Sequence, residues 1–100
     1  MSVWIAKVGD LHRRIALDLE GIETTGASSV RFRMRLRDSS TLTVDANGVI
    51  DSATRVSYQF TGAQLDVAGV YLLEVVLIYP DGAETVPTSG QIQVLLEPHL

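Results

Sequence analysis

Eight consecutive residues, Val30 to Arg37, alternate strictly between an apolar side chain and an arginine. Successive side chains of a β-strand point to opposite faces, so this pattern predicts a strand with one buried face and one basic, outward face. The same period of two recurs at residues 15–19, 56–60 and 92–96, and more weakly at 3–8. No window of eleven residues has the apolar spacing of an amphipathic helix, so the chain predicts an all-β fold.

Turn signals divide these segments at short intervals. Asn47-Gly48 predicts a hairpin turn between two short strands, and Pro80-Asp81-Gly82 predicts the end of a long strand, Val70 to Tyr79. Residues 21–28 and 61–69 predict longer connections, the second with one helical turn near residues 63–66. Pro87 and Pro98 should interrupt strand pairing. Seven or eight short strands without crossover helices indicate one domain over residues 1–100, a two-sheet antiparallel sandwich, with a small barrel as the alternative.

Composition excludes several classes of site. The 100 residues contain no cysteine, which excludes disulfides, thiolate metal ligands and cysteine nucleophiles. A net charge of −4 argues against nonspecific binding to nucleic acid, which requires a basic surface. The sequence shows neither a signal-like opening nor an apolar run that could span a bilayer, so we expect a soluble protein without its own export signal or membrane contact.

The charge is distributed unevenly along the chain. Residues 1–50 carry seven basic and six acidic side chains, whereas residues 51–100 carry one basic and six acidic side chains. The two halves therefore have net charges of +1 and −5. Such a separation suits head-to-tail packing of copies, although it also occurs on surfaces that only face solvent.

The segment Asp66-Val-Ala-Gly69-Val-Tyr71 resembles the tyrosine corner of immunoglobulin-like domains. There, a tyrosine at the start of a strand donates a hydrogen bond back to the preceding loop. The spacing in this chain is one residue longer than usual, and Leu73 occupies the position of the second cysteine of antibody domains. The resemblance implies an immunoglobulin-like sandwich without a disulfide, with structural roles for Gly69 and Tyr71.

A second resemblance covers nearly the whole chain. Its motifs are Gly9-Asp10, Thr25-Gly26-Ala27, Val30-Arg-Phe-Arg-Met34, Val56-Ser-Tyr-Gln-Phe60, Gly69-Val-Tyr71-Leu-Leu-Glu74, Tyr79-Pro-Asp-Gly82 and Thr85-Val-Pro87. In order and spacing they resemble the N-terminal domain family of baseplate upper proteins of tailed bacteriophages and related small virion proteins. The chain departs from that pattern at Ile22-Glu-Thr-Thr25, where a leucine is usual before Thr-Gly-Ala, and at Phe60, where a tryptophan is common.

The resemblance to this family implies a noncatalytic structural or assembly protein of the tail, neck or baseplate, found in the virion and, before assembly, in the host cytoplasm. It also implies binding to other virion proteins and to further copies of the chain. It implies no catalytic, cofactor or metal residues, and structural roles for the turn residues Asp81 and Gly82. The alternatives are a capsid-decoration protein and an immunoglobulin-like module that binds carbohydrate or a host surface.

Four arginines form the most concentrated charge feature: Arg31, Arg33, Arg35 and Arg37. Alternate residues of a strand lie roughly 6.7 Å apart, which suits carboxylates on a facing strand or phosphates along a nucleic acid. We favour a solvated sheet face balanced by acids on neighbouring strands. An acidic protein partner is the second interpretation. Nucleic acid is the third, disfavoured by the overall acidity and the scarcity of interleaved aromatic residues.

The predicted strand from Val70 to Tyr79 is apolar on both faces. One face carries residues 71, 73, 75, 77 and 79, and the other consists of Val70, Leu72, Val76 and Ile78, interrupted only by Glu74. A half-exposed antiparallel strand should be polar on one side. The second face therefore either lies beneath a loop or edge element or forms a subunit interface. Trp4 and Leu95 either extend this patch or belong to the core.

Residues that could perform catalysis do not form a recognisable group. His12 and His99 fall in predicted loop and tail positions, without the spacing of a metal motif. The serines lack a nucleophile-elbow motif, and Asp45-Ala-Asn47-Gly lacks the remaining ligands of a calcium loop. We therefore expect neither an enzyme nor a cofactor.

Overall fold

The computed structural model describes residues 3–10, 12–19, 24–86 and 92–98. Within these residues the chain is all-β, as predicted, and it has nine strands, one more than the seven or eight expected, and one turn of 3₁₀ helix. The strands are β1 (Val3–Lys7), β2 (Arg14–Asp18), β3 (Ser29–Leu36), β4 (Leu42–Asn47), β5 (Val49–Ser52), β6 (Arg55–Gln59), β7 (Gly69–Tyr79), β8 (Gly82–Val86) and β9 (Ile92–Glu97). The 3₁₀ helix, Gly62–Leu65, lies in the long connection where one helical turn was expected.

The strands form two sheets, which confirms the sandwich. Six strands form the larger sheet in the order β1-β9-β7-β3-β4, with β8 also paired to β7, and β2-β6-β5 form the smaller one. Strand β9 pairs with the first half of β7 and β8 with the second half, both on the edge opposite β3. Together β8 and β9 behave as one interrupted strand. Pro87, the predicted cause of the interruption, lies outside the described residues, while β9 ends directly before Pro98.

One strand pair departs from the antiparallel prediction. Strand β1 runs parallel to β9, with Trp4 opposite Val94. All other pairs are antiparallel. A parallel pair needs a long connection, and here nearly the whole chain lies between the two strands.

The hairpin predicted at Asn47-Gly48 is wrong. Strand β4 belongs to the larger sheet and β5 to the smaller one, so Gly48 lies where the chain crosses between sheets. The Gly48 N–H donates to the Val30 carbonyl at 2.9 Å. Gly48 is not among the glycines with positive φ; instead, a Cβ there would lie 2.5 Å from Phe32 Cε1 and 2.5 Å from the Ser57 carbonyl oxygen. Glycine is therefore required by close approach rather than by a turn.

The core lies between the two sheets and contains the inward faces that alternation predicted. Residues 30, 32 and 34 of β3 and residues 71, 73, 75 and 77 of β7 are all buried. Aromatic rings form its centre, with Phe32 stacked on Tyr58 at 5.4 Å and Phe60 edge-on to Tyr58 at 5.2 Å. Trp4 packs against Phe60 at 5.3 Å, so it belongs to the rim of the core. Because side chains alternate along a strand, the residues between these buried positions lie on the outward face of the larger sheet.

Both ends of β7 are held by the residues expected to have structural roles. The Tyr71 hydroxyl is buried and donates to the Val67 carbonyl at 2.5 Å, which is the hydrogen bond of a tyrosine corner. Burial, and then the nearby Asp66 carboxylate, raises the pKa of Tyr71 above its ordinary 10.0. Gly69 has a φ of 151°, and a Cβ on it would lie 2.9 Å from Leu36 Cδ2. At the other end, Tyr79 pairs with Gly82 across a two-residue turn that contains Asp81.

Candidate binding face of the larger sheet

The outward face of the larger sheet brings most of the candidate residues together. Val70, Leu72, Val76 and Ile78 of β7 are half-buried there. Leu95 lies opposite Val70, and Ile5 lies opposite Leu95, so the apolar surface continues across three strands. We call these six residues the apolar band. Ile5 is 48% exposed, so this end of the band is open to solvent.

Of the two residues suggested as extensions of this patch, only Leu95 lies on it. Trp4 points to the opposite side, against Phe60, and the Arg13 guanidinium covers its ring at 5.1 Å from the centroid. Arg13 also donates to the Ile5 carbonyl at 2.7 Å. The Trp4 ring therefore contacts Phe60 and Arg13 within the domain, and the apolar band contains only aliphatic side chains.

The first arginine beside the band is paired within the sheet. Arg31 Nε donates to Asp45 Oδ1 at 2.5 Å, and Arg31 Nη2 donates to the Asp45 carbonyl at 3.0 Å. This hydrogen bond from Arg31 is the main cause of the lowered pKa of Asp45. The pair joins β3 to β4 and is exposed, so its contribution to stability is small.

Arg33 lies between two carboxylates but bonds neither closely. Its Nη1 is 3.5 Å from Glu74 Oε1 on β7, and its Nε is 3.9 Å from Asp45 Oδ1 on β4. Charge-assisted hydrogen bonds are usually about 2.8 Å long. Arg33 is therefore balanced in charge, and its one side-chain hydrogen bond with the described residues, from Nη1 to Glu74, is long enough to be replaced by a closer acceptor.

The last two arginines differ from the predicted row. Arg35 Nη1 donates to the carbonyls of Leu36, Arg37 and Ser39 at 3.2, 3.0 and 2.9 Å, and so holds the turn that follows β3. Arg37 does not belong to the row, because β3 ends at Leu36. Its side chain is exposed and makes no hydrogen bond or ion pair with the part of the chain that the structure describes.

A β-bulge reshapes the face between β3 and β4. Met34 pairs with Val44, but the next residue, Arg35, pairs with Leu42, so Thr43 is the additional residue. The Thr43 hydroxyl donates to the Met34 carbonyl at 3.1 Å. Simple alternation from Val44 would place Leu42 in the core; the extra residue instead places it on the outward face, beside Arg35.

This displacement creates a depression of about 320 Å³, which we call the bulge pocket. It is lined by Arg33, Arg35, Ser40, Leu42, Leu72, Leu73 and Glu74. Both arginines and Leu72 were predicted from the sequence as candidate interface residues, whereas Ser40, Leu42, Leu73 and Glu74 were not. A bulge has no alternation signature of its own, so only strand register reveals the grouping.

The remaining candidate residues do not assemble into a chemical site. No three His, Cys, Asp or Glu residues converge as metal ligands within the described ranges. Asp45 is held by Arg31 rather than by a loop of oxygen ligands, His12 is exposed, and His99 lies outside the described residues. Among the described residues there is also no helix long and apolar enough to cross a membrane.

Comparison with known proteins assigns no family. No protein-family model matches the chain, and no curated protein sequence matches it significantly. The resemblance to phage virion domains therefore rests on the sequence motifs alone.

Proposed function

We propose that this chain is a noncatalytic assembly module that binds another protein through the outward face of its larger sheet. The motif resemblance suggests the setting, a tailed-phage virion at the tail, neck or baseplate, with the host cytoplasm as its location before assembly. The observation that carries the proposal is the apolar band. Six aliphatic side chains lie on the face turned away from the core, in two groups on either side of Glu74: Ile5, Leu95, Val70 and Leu72 form one, and Val76 and Ile78 form the other.

The size of the face is compatible with this role. Five adjacent strands span roughly 19 Å at about 4.8 Å per gap, and the eight residues of β3 extend about 26 Å. Such a face offers on the order of 500 Å² per partner, or roughly 1,000 Å² in total, the lower limit for a specific interface. A sheet held by backbone hydrogen bonds also loses little conformational entropy on binding.

The residues exposed on the domain favour assembly over carbohydrate binding. Among the described residues, the exposed large hydrophobic side chains are Ile5, Val49 and Val67, none of them aromatic. Sugar-binding surfaces rely on exposed aromatic rings, whereas the rings of Phe32, Tyr58 and Phe60 are packed together in the core. A capsid-decoration protein would use the same face at another position in the virion and remains the second candidate.

The proposed partners are other virion proteins or further copies of the chain. Nucleic acid is a poor partner, because Arg31 is occupied by Asp45, Glu74 lies beside Arg33, and the chain is acidic overall. If copies contact each other head to tail, the assembly closes into a ring when the rotation between neighbours closes.

The proposal is tested by disrupting the band outside the bulge pocket. We expect the double variant Val76→Glu/Ile78→Glu to fold but to be lost from virions of the phage that encodes the chain, measured by sedimentation of purified particles. Val49→Glu/Val67→Glu is the matched control, because it places the same two negative charges on exposed aliphatic positions outside the apolar band.

Light scattering during size-exclusion chromatography at increasing concentration complements this experiment. A concentration-stable multimer that the double variant abolishes would identify a second copy as the partner. A monomer together with band-dependent incorporation would identify another virion protein. Normal incorporation of the folded double variant would refute the proposed interface.

A further inference from the structure

We infer that the bulge pocket binds a carboxylate that adjoins an aliphatic group, as presented by an acidic residue next to a hydrophobic one on a partner protein. This inference rests on the proposed assembly function, since it specifies which partner chemistry the larger sheet recognises. It is carried by arginine donors and leucine side chains that a single β-bulge brings together.

The pocket contains donors that the described residues engage only at long distance or not at all. Arg33 Nη1 lies 3.5 Å from Glu74 Oε1, and Arg33 Nε lies 3.9 Å from Asp45 Oδ1. A ligand carboxylate at about 2.8 Å would bind the guanidinium more strongly than either of these side chains does. Every hydrogen bond that Arg35 makes with the described residues runs through Nη1, so its Nε and Nη2 hydrogens remain unpaired. The three carbonyl contacts also hold the Arg35 guanidinium in place before any ligand arrives, which lowers the entropy lost on binding.

Leucines flank these donors. In the sheet register Arg35 stands between Leu72 on β7 and Leu42 on β4. The bulge is what places Leu42 there, and Ser40 adds a hydroxyl to the lining. A ligand that binds Arg35 through a carboxylate therefore places its neighbouring atoms against two aliphatic side chains.

The charge of the lining selects a monoanion. Two arginines against Glu74 leave a local charge of +1, which one carboxylate neutralises. A phosphate carries more negative charge at neutral pH, so Glu74 repels it more strongly than it repels a carboxylate. Phosphate has no apolar group that could be buried against the leucines, whereas a peptide segment has an aliphatic part that they would remove from water.

The inference is tested with N-acetyl-leucine, which carries a free carboxylate beside an isobutyl side chain. We expect millimolar binding to the ¹⁵N-labelled chain, with amide shift changes confined to residues 33–42 and 72–74. N-acetyl-leucine amide, which lacks the charge, and inorganic phosphate, which lacks the aliphatic group, should each bind at least tenfold more weakly. Equal shifts with phosphate would show a general anion effect and overturn the inference, as would the absence of shifts with N-acetyl-leucine.

Variants locate the site. Arg33→Gln should weaken N-acetyl-leucine binding about tenfold, and Leu42→Ala several-fold. Arg37→Gln is the matched control: it removes the same charge from a nearby exposed side chain that does not line the pocket, and it should leave binding unchanged. Equal losses in Arg33→Gln and Arg37→Gln would overturn the inference, and thermal melting verifies that each variant is folded.

The two proposals fail separately. Val76→Glu/Ile78→Glu changes the apolar band outside the pocket lining, so this variant should still bind N-acetyl-leucine. A chain that enters virions through its band but does not bind the probe would contradict the carboxylate site alone. A chain that binds the probe but enters virions regardless of the band would contradict the proposed interface alone.

Discussion

Substitution of Gly48 by alanine tests how the chain passes from one sheet to the other. A Cβ at this position would meet Phe32 Cε1 at 2.5 Å, Phe32 Cδ1 at 2.6 Å and the Ser57 carbonyl oxygen at 2.5 Å. Comfortable contacts between carbon atoms begin near 3.5 Å, so about 1 Å of movement is needed. Phe32 is fully buried and Ser57 pairs with both of its neighbouring strands, so neither group can move alone.

The expected magnitude follows from two opposing effects. Forcing an extra methyl group into a packed core typically costs about 1–3 kcal/mol. Replacing glycine by alanine at a compatible φ returns roughly 0.4–1 kcal/mol, because the unfolded chain loses freedom. The net loss is then about 1.3 kcal/mol, which would lower the melting temperature of a domain this size by roughly 5–10 °C.

Urea denaturation of Gly48→Ala, with Phe32→Leu as a second background, separates the causes. Phe32→Leu removes the ring carbons nearest the new methyl group, so the alanine penalty should be smaller in that background. Gly26→Ala is the control for conformation, because Gly26 has a φ of 85° with no atom within 4 Å of its Cβ position. A Gly48→Ala variant within about 0.5 kcal/mol of the parent would refute the close approach. An equal penalty in both backgrounds would refute the role of Phe32.

Three further predictions concern residues of β7 and Asp45 on β4. Leu73→Ala should cost about 2–5 kcal/mol in chemical denaturation, whereas Leu72→Ala should cost less than about 1.5 kcal/mol, because Leu73 is buried and Leu72 half-exposed. Tyr71→Phe should cost about 1 kcal/mol through loss of the Val67 hydrogen bond. The raised pKa of Tyr71 gives the folded state an advantage that is complete below pH 10.0 and disappears as pH rises through the folded-state pKa; melting curves of Tyr71→Phe should lack this alkaline loss. Asp45→Asn should be less stable than the parent above pH 3.8, and the difference should shrink as pH falls below 3.8 and through the lowered pKa of Asp45, as measured by denaturation at a series of pH values descending from 7.

Local alternation was sufficient to predict the faces of the long strands. In β3 and β7 each inward residue from Val30 to Met34 and from Tyr71 to Leu77 is buried, because side-chain direction along a strand depends only on the parity of position. The tyrosine corner was equally accessible from sequence, since its hydrogen bond spans only four residues. Features determined within one strand or one loop are therefore readable from sequence.

Pairing between distant strands was not readable in this way. Asn47-Gly48 carries a strong hairpin signal, but β4 pairs with β3 and β5 pairs with β6, so the connection changes sheets. What decides the conformation at Gly48 is contact with Phe32 and Ser57, which are close in space and distant in sequence. The bulge at Thr43 escaped prediction for the same reason, because only the register with β3 shows that Leu42 has changed faces.

The electrostatics of the larger sheet bear on which surface a second copy would present to it. The centre of the face contains Arg31, Arg33 and Arg35 together with Asp45 and Glu74. These five side chains have a net charge of +1. Since the whole chain has a net charge of −4, the remainder carries −5. Two such faces in direct contact would oppose like charges, whereas one face against the acidic remainder of another copy would bring opposite charges together. If the partner is a second copy, head-to-tail contact is therefore favoured, and it should weaken as salt concentration rises.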